Sequence, residues 1–82
     1  MKREQIINTL TNLIEPIGKD EWRINQTMVY PSNEGVKLII RNPGVGFSIN
    51  FKSIGKILVI GETLYFDKHD GTTLAYIDLE KN

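Results

Sequence analysis

The sequence contains no cysteine, only one histidine and no long hydrophobic run. The absence of cysteine excludes disulfide bonds, thiolate metal sites and cysteine nucleophiles. The longest uninterrupted apolar run, Ile57–Ile60, is far shorter than the ~20 residues that a helix needs to cross a bilayer. The formal net charge is zero, so the chain as a whole is not drawn electrostatically to nucleic acid or to anionic membranes.

A chain of 82 residues with 40% hydrophobic and 24% charged residues has the composition of one globular domain. We expect a single domain over residues 1–82, with a helix at about residues 2–15, a β-sheet at about residues 21–79 and a tail at residues 80–82. Met1–Gln5 leads into an amphipathic pattern rather than a secretory hydrophobic region. Together with the absence of cysteine, this predicts a cytoplasmic protein.

The N-terminal segment carries an apolar stripe with the period of an α-helix. The stripe consists of Ile6, Ile7, Leu10, Leu13, Ile14 and Ile17. Pro16 disfavours helical geometry at Glu15, and Gly18 follows soon after. The pattern predicts a helix from Lys2 to about Glu15 whose apolar face packs in the core.

Three segments alternate apolar and polar residues, as strands with one buried face do. These segments are Trp22–Tyr30, Val36–Ile40 and Val45–Phe51, and the first strand is expected to begin at Glu21. Turn-forming residues separate them at Pro31–Gly35 and at Asn42–Val45. Placing Asn42 opposite Val45 pairs Ile40 with Phe47, Leu38 with Ile49 and Val36 with Phe51, and placing Tyr30 opposite Val36 pairs Met28 with Leu38. The turn lengths and the alternations therefore agree on one register.

Two further hairpins are predicted in the last third of the chain. Gly61-Glu62 has the composition of a two-residue turn between Ile57–Ile60 and Thr63–Asp67. His69–Gly71 is typical of a three-residue loop with glycine in the left-handed conformation. With Lys68 opposite Thr72, Phe66 pairs with Leu74 and Leu64 with Tyr76, which places Tyr65, Ala75, Ile77 and Leu79 on the other face. Both faces of this hairpin are apolar, so either the sheet curls here or one face meets a partner.

These elements predict an α+β fold, in which an N-terminal amphipathic helix packs on one face of a five- to six-stranded antiparallel β-meander. Residues with catalytic or metal-binding potential do not form a recognisable constellation. His69 lies in the predicted loop beside Asp70, but Asp67–Gly71 lacks the alternating oxygen ligands of a calcium loop. Ser32, Ser48 and Ser53 lack the context of a nucleophile elbow. We therefore expect neither an enzyme nor a cofactor or metal site.

Charge is unevenly distributed, since residues 36–56 contain four cations and no acid, whereas residues 57–82 are mainly acidic. On the predicted sheet, the face turned away from the helix combines basic, amide and isolated apolar side chains. The candidate partner-binding residues on this reverse face are Arg23, Val29, Lys37, Ile39, Arg41, Asn50 and Lys52. The apolar members of this set favour a protein partner. Its cations leave nucleic acid as an alternative, with Arg23, Lys37, Arg41, Lys52 and Lys56 as contacts.

The expected function is that of a small non-enzymatic protein–protein interaction module. The chain has 12 isoleucines, 7 asparagines and 7 lysines, a composition that suggests an A/T-rich genome such as that of low-GC bacteria or their phages. A phage or mobile-element inhibitor of a host or defence protein fits these features. The alternatives are a nucleic-acid-binding accessory protein and a homo-oligomeric structural subunit that associates through the C-terminal hairpin. A membrane partner is not expected.

Overall fold

The computed structural model describes residues 2–29, 37–42 and 45–80 and shows the predicted α+β fold. Its helices are α1 (Arg3–Leu10) and α2 (Gln26–Val29), and a 3-10 helix spans Phe51–Ser53. Its strands are β1 (Ile14–Gly18), β2 (Glu21–Ile24), β3 (Lys37–Asn42), β4 (Val45–Asn50), β5 (Lys56–Ile60), β6 (Thr63–Asp67) and β7 (Thr73–Asp78).

The strands form two separate sheets. The main sheet has the order β1-β2-β5-β6-β7, and every neighbouring pair is antiparallel. The hairpin β3–β4 forms its own two-stranded sheet, inserted in the chain between β2 and β5. The predicted succession of neighbouring strands is thus interrupted, because β2 pairs with β5 rather than with β3.

Helix α1 ends five residues earlier than predicted, at Leu10. The chain turns there, with the Leu13 N–H donating to the Leu10 carbonyl (2.7 Å), and Ile14 begins a strand instead of extending the helical stripe. Ile14 still reaches the core, whereas Ile17 is 49% exposed. Pro16 fits this strand because β1 is at the edge of the sheet, where a missing N–H is tolerated.

The predicted strand Glu21–Tyr30 ends at Ile24 and is followed by the short helix α2. The carbonyl of Asn25 accepts hydrogen bonds from the N–H groups of both Met28 and Val29. This turn buries Val29 completely and leaves Met28 48% exposed. The predicted inward position of Met28 and its pairing with Leu38 are therefore wrong, while the pairing of Tyr30 with Val36 lies outside the described residues.

Two predicted hairpins are confirmed. In β3–β4, Asn42 pairs with Val45, Ile40 with Phe47 and Leu38 with Ile49. The described residues do not include Pro43 and Gly44 of its turn. They also do not include Val36, the predicted partner of Phe51. In β5–β6, Ile60 pairs with Thr63, and Gly61 has the positive φ of 60° that a first central turn position with glycine requires.

The loop between β6 and β7 is confirmed, but the register beyond it is not. The Lys68 N–H donates to the Thr72 carbonyl (2.7 Å), and Gly71 has a φ of 91°. A β-bulge then places one extra residue, Leu74, on β7. Phe66 consequently pairs with Ala75, Leu64 with Ile77 and Tyr65 with Tyr76. The register is shifted by one residue, so each of these β7 residues lies on the face of the sheet opposite to the predicted one.

The core lies on one face of the main sheet, which we call the inner face. Its sheet residues alternate along β2, β5 and β6, and α1, α2 and the segment around the 3-10 helix cover them. The buried apolar residues are Ile6, Leu10, Ile14, Trp22, Ile24, Val29, Ile49, Phe51, Ile54, Ile57, Leu64 and Phe66. Leu58, Tyr65 and Tyr76, on the opposite or outer face, do not belong to this cluster.

Candidate functional site

The predicted reverse face is not a single surface in the structure. Lys37, Ile39 and Arg41 alternate along β3, in the separate hairpin, whereas Arg23 lies on β2 in the main sheet. Val29 is completely buried in α2, so its predicted exposure is wrong. The structure does not test the binding roles of the remaining residues, which stay predictions.

Asn50 and Lys52 have a local structural contact. The Asn50 side-chain Oδ1 accepts a hydrogen bond from the Lys52 N–H (2.9 Å) and thereby caps the 3-10 helix. The Lys52 carbonyl lies 3.4 Å from the Nε2 of His69. Lys52 itself is exposed, and this carbonyl contact brings its backbone close to the loop between β6 and β7.

A row of charged residues crosses one end of the outer face. Register places Glu15, Arg23, Lys56 and Asp67 side by side on β1, β2, β5 and β6. The Arg23 Nε donates to Glu15 (2.9 Å), and the Lys56 ammonium lies 3.4 Å from Glu21. Because each of these cations has a carboxylate neighbour, this part of the main sheet is weaker as an anion-binding surface than the sequence suggests.

Apolar side chains occupy the rest of the outer face. Register places Leu58, Tyr65 and Tyr76 side by side on β5, β6 and β7. The rings of the two tyrosines have centroids 6.3 Å apart and are tilted by 41°. Ile60 follows Leu58 on the same face of β5. Tyr76 is 62% exposed and Ile60 is 60% exposed, and we call these four residues the outer apolar strip.

A basic cluster surrounds the loop between β6 and β7. Lys56, Lys68 and His69 line one depression together with Gly55, Asp70 and Gly71, and Lys52 approaches through its carbonyl. Asp70 is turned toward its own loop, where it accepts hydrogen bonds from the Thr72 hydroxyl (2.6 Å) and the Thr72 N–H (2.9 Å). Both bonds lower the pKa of Asp70, and the bond from the Thr72 hydroxyl has the larger effect. Asp70 is therefore engaged within its own loop, while Lys56 of the cluster has a carboxylate neighbour in Glu21 (3.4 Å).

The loop residues that suggest chemistry in the sequence have other partners in the structure. Asp67 accepts a hydrogen bond from the Thr73 hydroxyl (3.2 Å), and Asp70 is bound by Thr72. The ring of His69 contacts a backbone carbonyl instead. Within the described residues, no three histidine or acidic side chains are grouped as a metal ion would require. No helix in the same part of the chain is long and apolar enough to span a membrane.

Sequence reasoning missed the outer apolar strip because its assembly depends on the bulge in β7. The signal was the apolar character of both faces of the C-terminal hairpin, but the predicted register placed Tyr76 opposite Leu64 rather than Tyr65. The observed register instead separates a row on the inner face, with Leu64 and Ile77, from a row on the outer face, with Tyr65 and Tyr76. Comparison of the chain with protein-family models, with curated proteins and with solved structures gave no significant match.

Proposed function

We propose that this protein is a small, non-enzymatic protein–protein interaction module that binds its partner through the outer apolar strip. The supporting observation is the exposure of two large side chains, Tyr76 and Ile60, on a face that also carries Leu58 and Tyr65. Single exposed apolar residues are common in soluble proteins, but a contiguous apolar row is typical of an interaction surface.

The strip has the side chains that protein interfaces favour. Tyrosine is enriched at interfaces because its large ring loses little rotational freedom on binding and its hydroxyl still finds a polar partner. The ring contact between Tyr65 and Tyr76 orients both side chains before a partner arrives. Less conformational entropy is then lost on binding, so the affinity gained per contact is larger.

The surroundings of the strip favour a partner with a basic rim. Ile60 pairs with Thr63 on β6, which in turn pairs with Asp78 on β7. The Thr63 hydroxyl donates a hydrogen bond to the Asp78 carboxylate (3.2 Å). Glu62 is exposed in the adjoining turn. Complementary charge around an apolar centre increases the association rate and selects among partners. The partner surface is therefore apolar at its centre and basic toward this end of the sheet.

Inhibition of a host or defence protein is the form of this function that we favour. A small domain inhibits by covering a functional surface of its target, which needs an exposed docking face and no chemistry of its own. The isoleucine-, asparagine- and lysine-rich composition agrees with an origin in a phage or mobile element of a low-GC bacterium.

The test is affinity capture from a nuclease-treated lysate of such a bacterium, read by mass spectrometry. We expect one protein to be retained in near-stoichiometric amount by the wild type and lost with Ile60→Asp, because a carboxylate would be desolvated in the interface. Ile17→Asp is the matched control, since Ile17 is 49% exposed on β1 at the other edge of the sheet. Circular dichroism establishes that both variants are folded. A partner that binds Ile60→Asp as well as the wild type would contradict the proposal.

The basic cluster supports nucleic-acid binding as a second candidate function. Lys52, Lys56, Lys68 and His69 lie around one loop, and phosphate contacts by such side chains make affinity fall steeply with salt. Lys52→Glu combined with Lys68→Glu should abolish binding of a fluorescent single-stranded oligonucleotide in an anisotropy titration. Binding that is unchanged in this double variant would exclude the cluster as the nucleic-acid site.

A further inference from the structure

The two edge strands of the main sheet differ in how well they are protected against pairing with a further strand. Edge strand β1 contains Pro16 and a register irregularity between Pro16 and Gly18, both of which hinder pairing with another strand. Edge strand β7 is bulged only near its start, and from Ala75 to Asp78 it pairs regularly with β6. No described strand pairs with its other side, although β4 contributes to a depression beside Leu74 and Ala75.

The hydrogen-bond pattern shows which backbone groups of β7 point outward. The Leu79 N–H donates to the Glu62 carbonyl (2.7 Å), so Leu79 is directed toward β6. In an antiparallel ladder this direction alternates, which directs Ile77 and Ala75 toward β6 as well. The N–H and carbonyl groups of Tyr76 and Asp78 therefore point away from β6, along the open edge.

The side chains of β7 also leave the core incompletely covered at this edge. Ala75 and Ile77 are only half-buried on the inner face, whereas their partners on β6, Phe66 and Leu64, have no exposed surface. On the outer face, Tyr76 ends the apolar strip at the edge itself. A strand added beside β7 would therefore bury apolar surface on both faces of the sheet.

We propose that two copies of this chain pair through β7, antiparallel and about a two-fold axis at Tyr76, so that the two main sheets become one. In this register Tyr76 pairs with Tyr76 of the partner subunit, and Ala75 lies beside Ile77 of the partner subunit. The outer apolar strips of both copies then form one continuous row. An antiparallel strand is automatically complementary to itself about such an axis, which favours a second copy over a foreign strand.

Charge selects this register among those that the backbone permits. Asp78 is the only charged residue of β7, and pairing centred on Tyr76 places it opposite Leu74 of the partner subunit, about 13 Å along the strands from its symmetry mate. A centre at Ile77 would bring the two carboxylates to about 7 Å, where they repel. A centre at Ala75 would bring the bulge at Leu74 further into the ladder.

The interface is small, because it consists of one strand edge and its flanking side chains. Its area is below the ~1,200 Å² that stable complexes bury, so the dimer is weak and depends on concentration. Self-pairing does not rest on the proposed function, because it depends on the backbone edge of β7. The two proposals share Tyr76 of the outer apolar strip, but the partner test uses Ile60 on β5. Either can fail while the other holds.

The first test is sedimentation equilibrium of the wild type from about 10 μM to about 1 mM, the range in which a small interface associates. The mass is expected to rise from 9.4 kDa toward twice that value. Tyr76→Pro removes an N–H that β6 does not use and should remain folded but monomeric, whereas Tyr76→Ala retains that N–H and should still associate, more weakly. A monomer at the highest concentration would overturn the proposal.

The second test uses the absence of cysteine from the chain. Tyr76→Cys should form a disulfide-linked dimer under mild oxidation, because directly paired residues have Cα atoms about 5.5 Å apart. Ile60→Cys is the control, since it is equally exposed on the outer face but two strands from the edge, and it should remain monomeric. Cross-linking of Ile60→Cys without that of Tyr76→Cys would indicate face-to-face association and overturn the edge pairing.

Discussion

Gly55 lies directly against the backbone of His69, and a Cβ at position 55 would be 2.9 Å from the His69 Cα. The Gly55 N–H also donates to the Asp67 carbonyl (2.7 Å). These contacts join the chain that enters β5 to the loop between β6 and β7. They hold the loop that carries Lys68 against the segment that carries Lys52. The backbone positions of the residues in the basic cluster are therefore fixed relative to one another.

Gly55→Ala is therefore expected to lower the free energy of unfolding by about 1–3 kcal/mol, the usual cost of overpacking. The atoms nearest to the added Cβ belong to the backbone of Lys68 and His69, which cannot move aside as a flexible side chain can. Gly18→Ala is the control, because its Cβ would make an ordinary 3.6 Å contact with Glu21 and should change stability by less than about 0.5 kcal/mol. Urea denaturation measures both, and equal stability of the two variants would contradict the close approach.

The burial of Val29 beside an exposed Met28 gives a test of helix α2. Val29→Ala removes two methyl groups from the core and should destabilise the protein by about 2 kcal/mol. Met28→Ala should change stability by less than about 0.5 kcal/mol, because Met28 is 48% exposed. If the segment were the extended strand that its alternation suggests, the order of the two effects would be reversed in thermal or urea unfolding.

The error at α2 shows why short segments are hard to predict from sequence. Four residues, Gln26–Val29, cannot establish a period, and two adjacent apolar residues fit either a helical turn or a strand. The helical turn is stabilised by the Asn25 carbonyl, which accepts hydrogen bonds from two N–H groups of the helix, and by the packing of Val29 in the core. Neither is visible in the local sequence.

The predictions that succeeded depend on residues close together in the chain. Asn42 and Val45, or Ile60 and Thr63, are brought together by turns whose residues favour one geometry. The pairing of Trp22 with Ile57 joins residues far apart in sequence, and neither alternation nor turn length specifies it. The hairpins β3–β4 and β5–β6 were therefore predicted correctly, while the neighbour of β2 and the register of β6 with β7 were not.

The candidate site was harder to predict than the fold, because a surface requires the register of several strands to be correct at once. The outer apolar strip needs the pairings of Leu58 with Tyr65 and of Tyr65 with Tyr76. One extra residue at Leu74 exchanges the two faces of β7. Alternation alone could predict that the hairpin has two apolar faces, but not which tyrosines share one.

Gly61 allows a test of the turn between β5 and β6 in which packing plays no part. It has a φ of 60°, and a Cβ at this position would meet no atom within 4 Å. Gly61→Ala should therefore destabilise the protein by about 1–2 kcal/mol through backbone strain alone. D-Alanine introduced at the same position by chemical synthesis should be neutral or stabilising, because it prefers a positive φ. Thermal unfolding of the two proteins measures the difference, and equal stabilities would contradict the turn geometry.

The hydrogen bonds between Thr72 and Asp70 predict a measurable pH dependence in the β6–β7 loop. They lower the pKa of Asp70, with the Thr72 hydroxyl as the largest cause. A carboxylate whose pKa is lowered by folding stabilises the folded state at pH values above its ordinary pKa. That contribution is lost as the pH falls through the lowered value.

Thr72→Ala removes the hydroxyl donor while retaining the N–H donor, so the pKa of Asp70 should rise toward its ordinary value. Thr72→Ser keeps a hydroxyl at the same place and should keep the pKa low. The measurement is the ¹³C chemical shift of the Asp70 carboxyl group, followed by NMR from about pH 7 to about pH 2. If the Asp70 pKa were the same in Thr72→Ala and Thr72→Ser, the hydroxyl would not be its main determinant, and backbone donors alone would account for the shift.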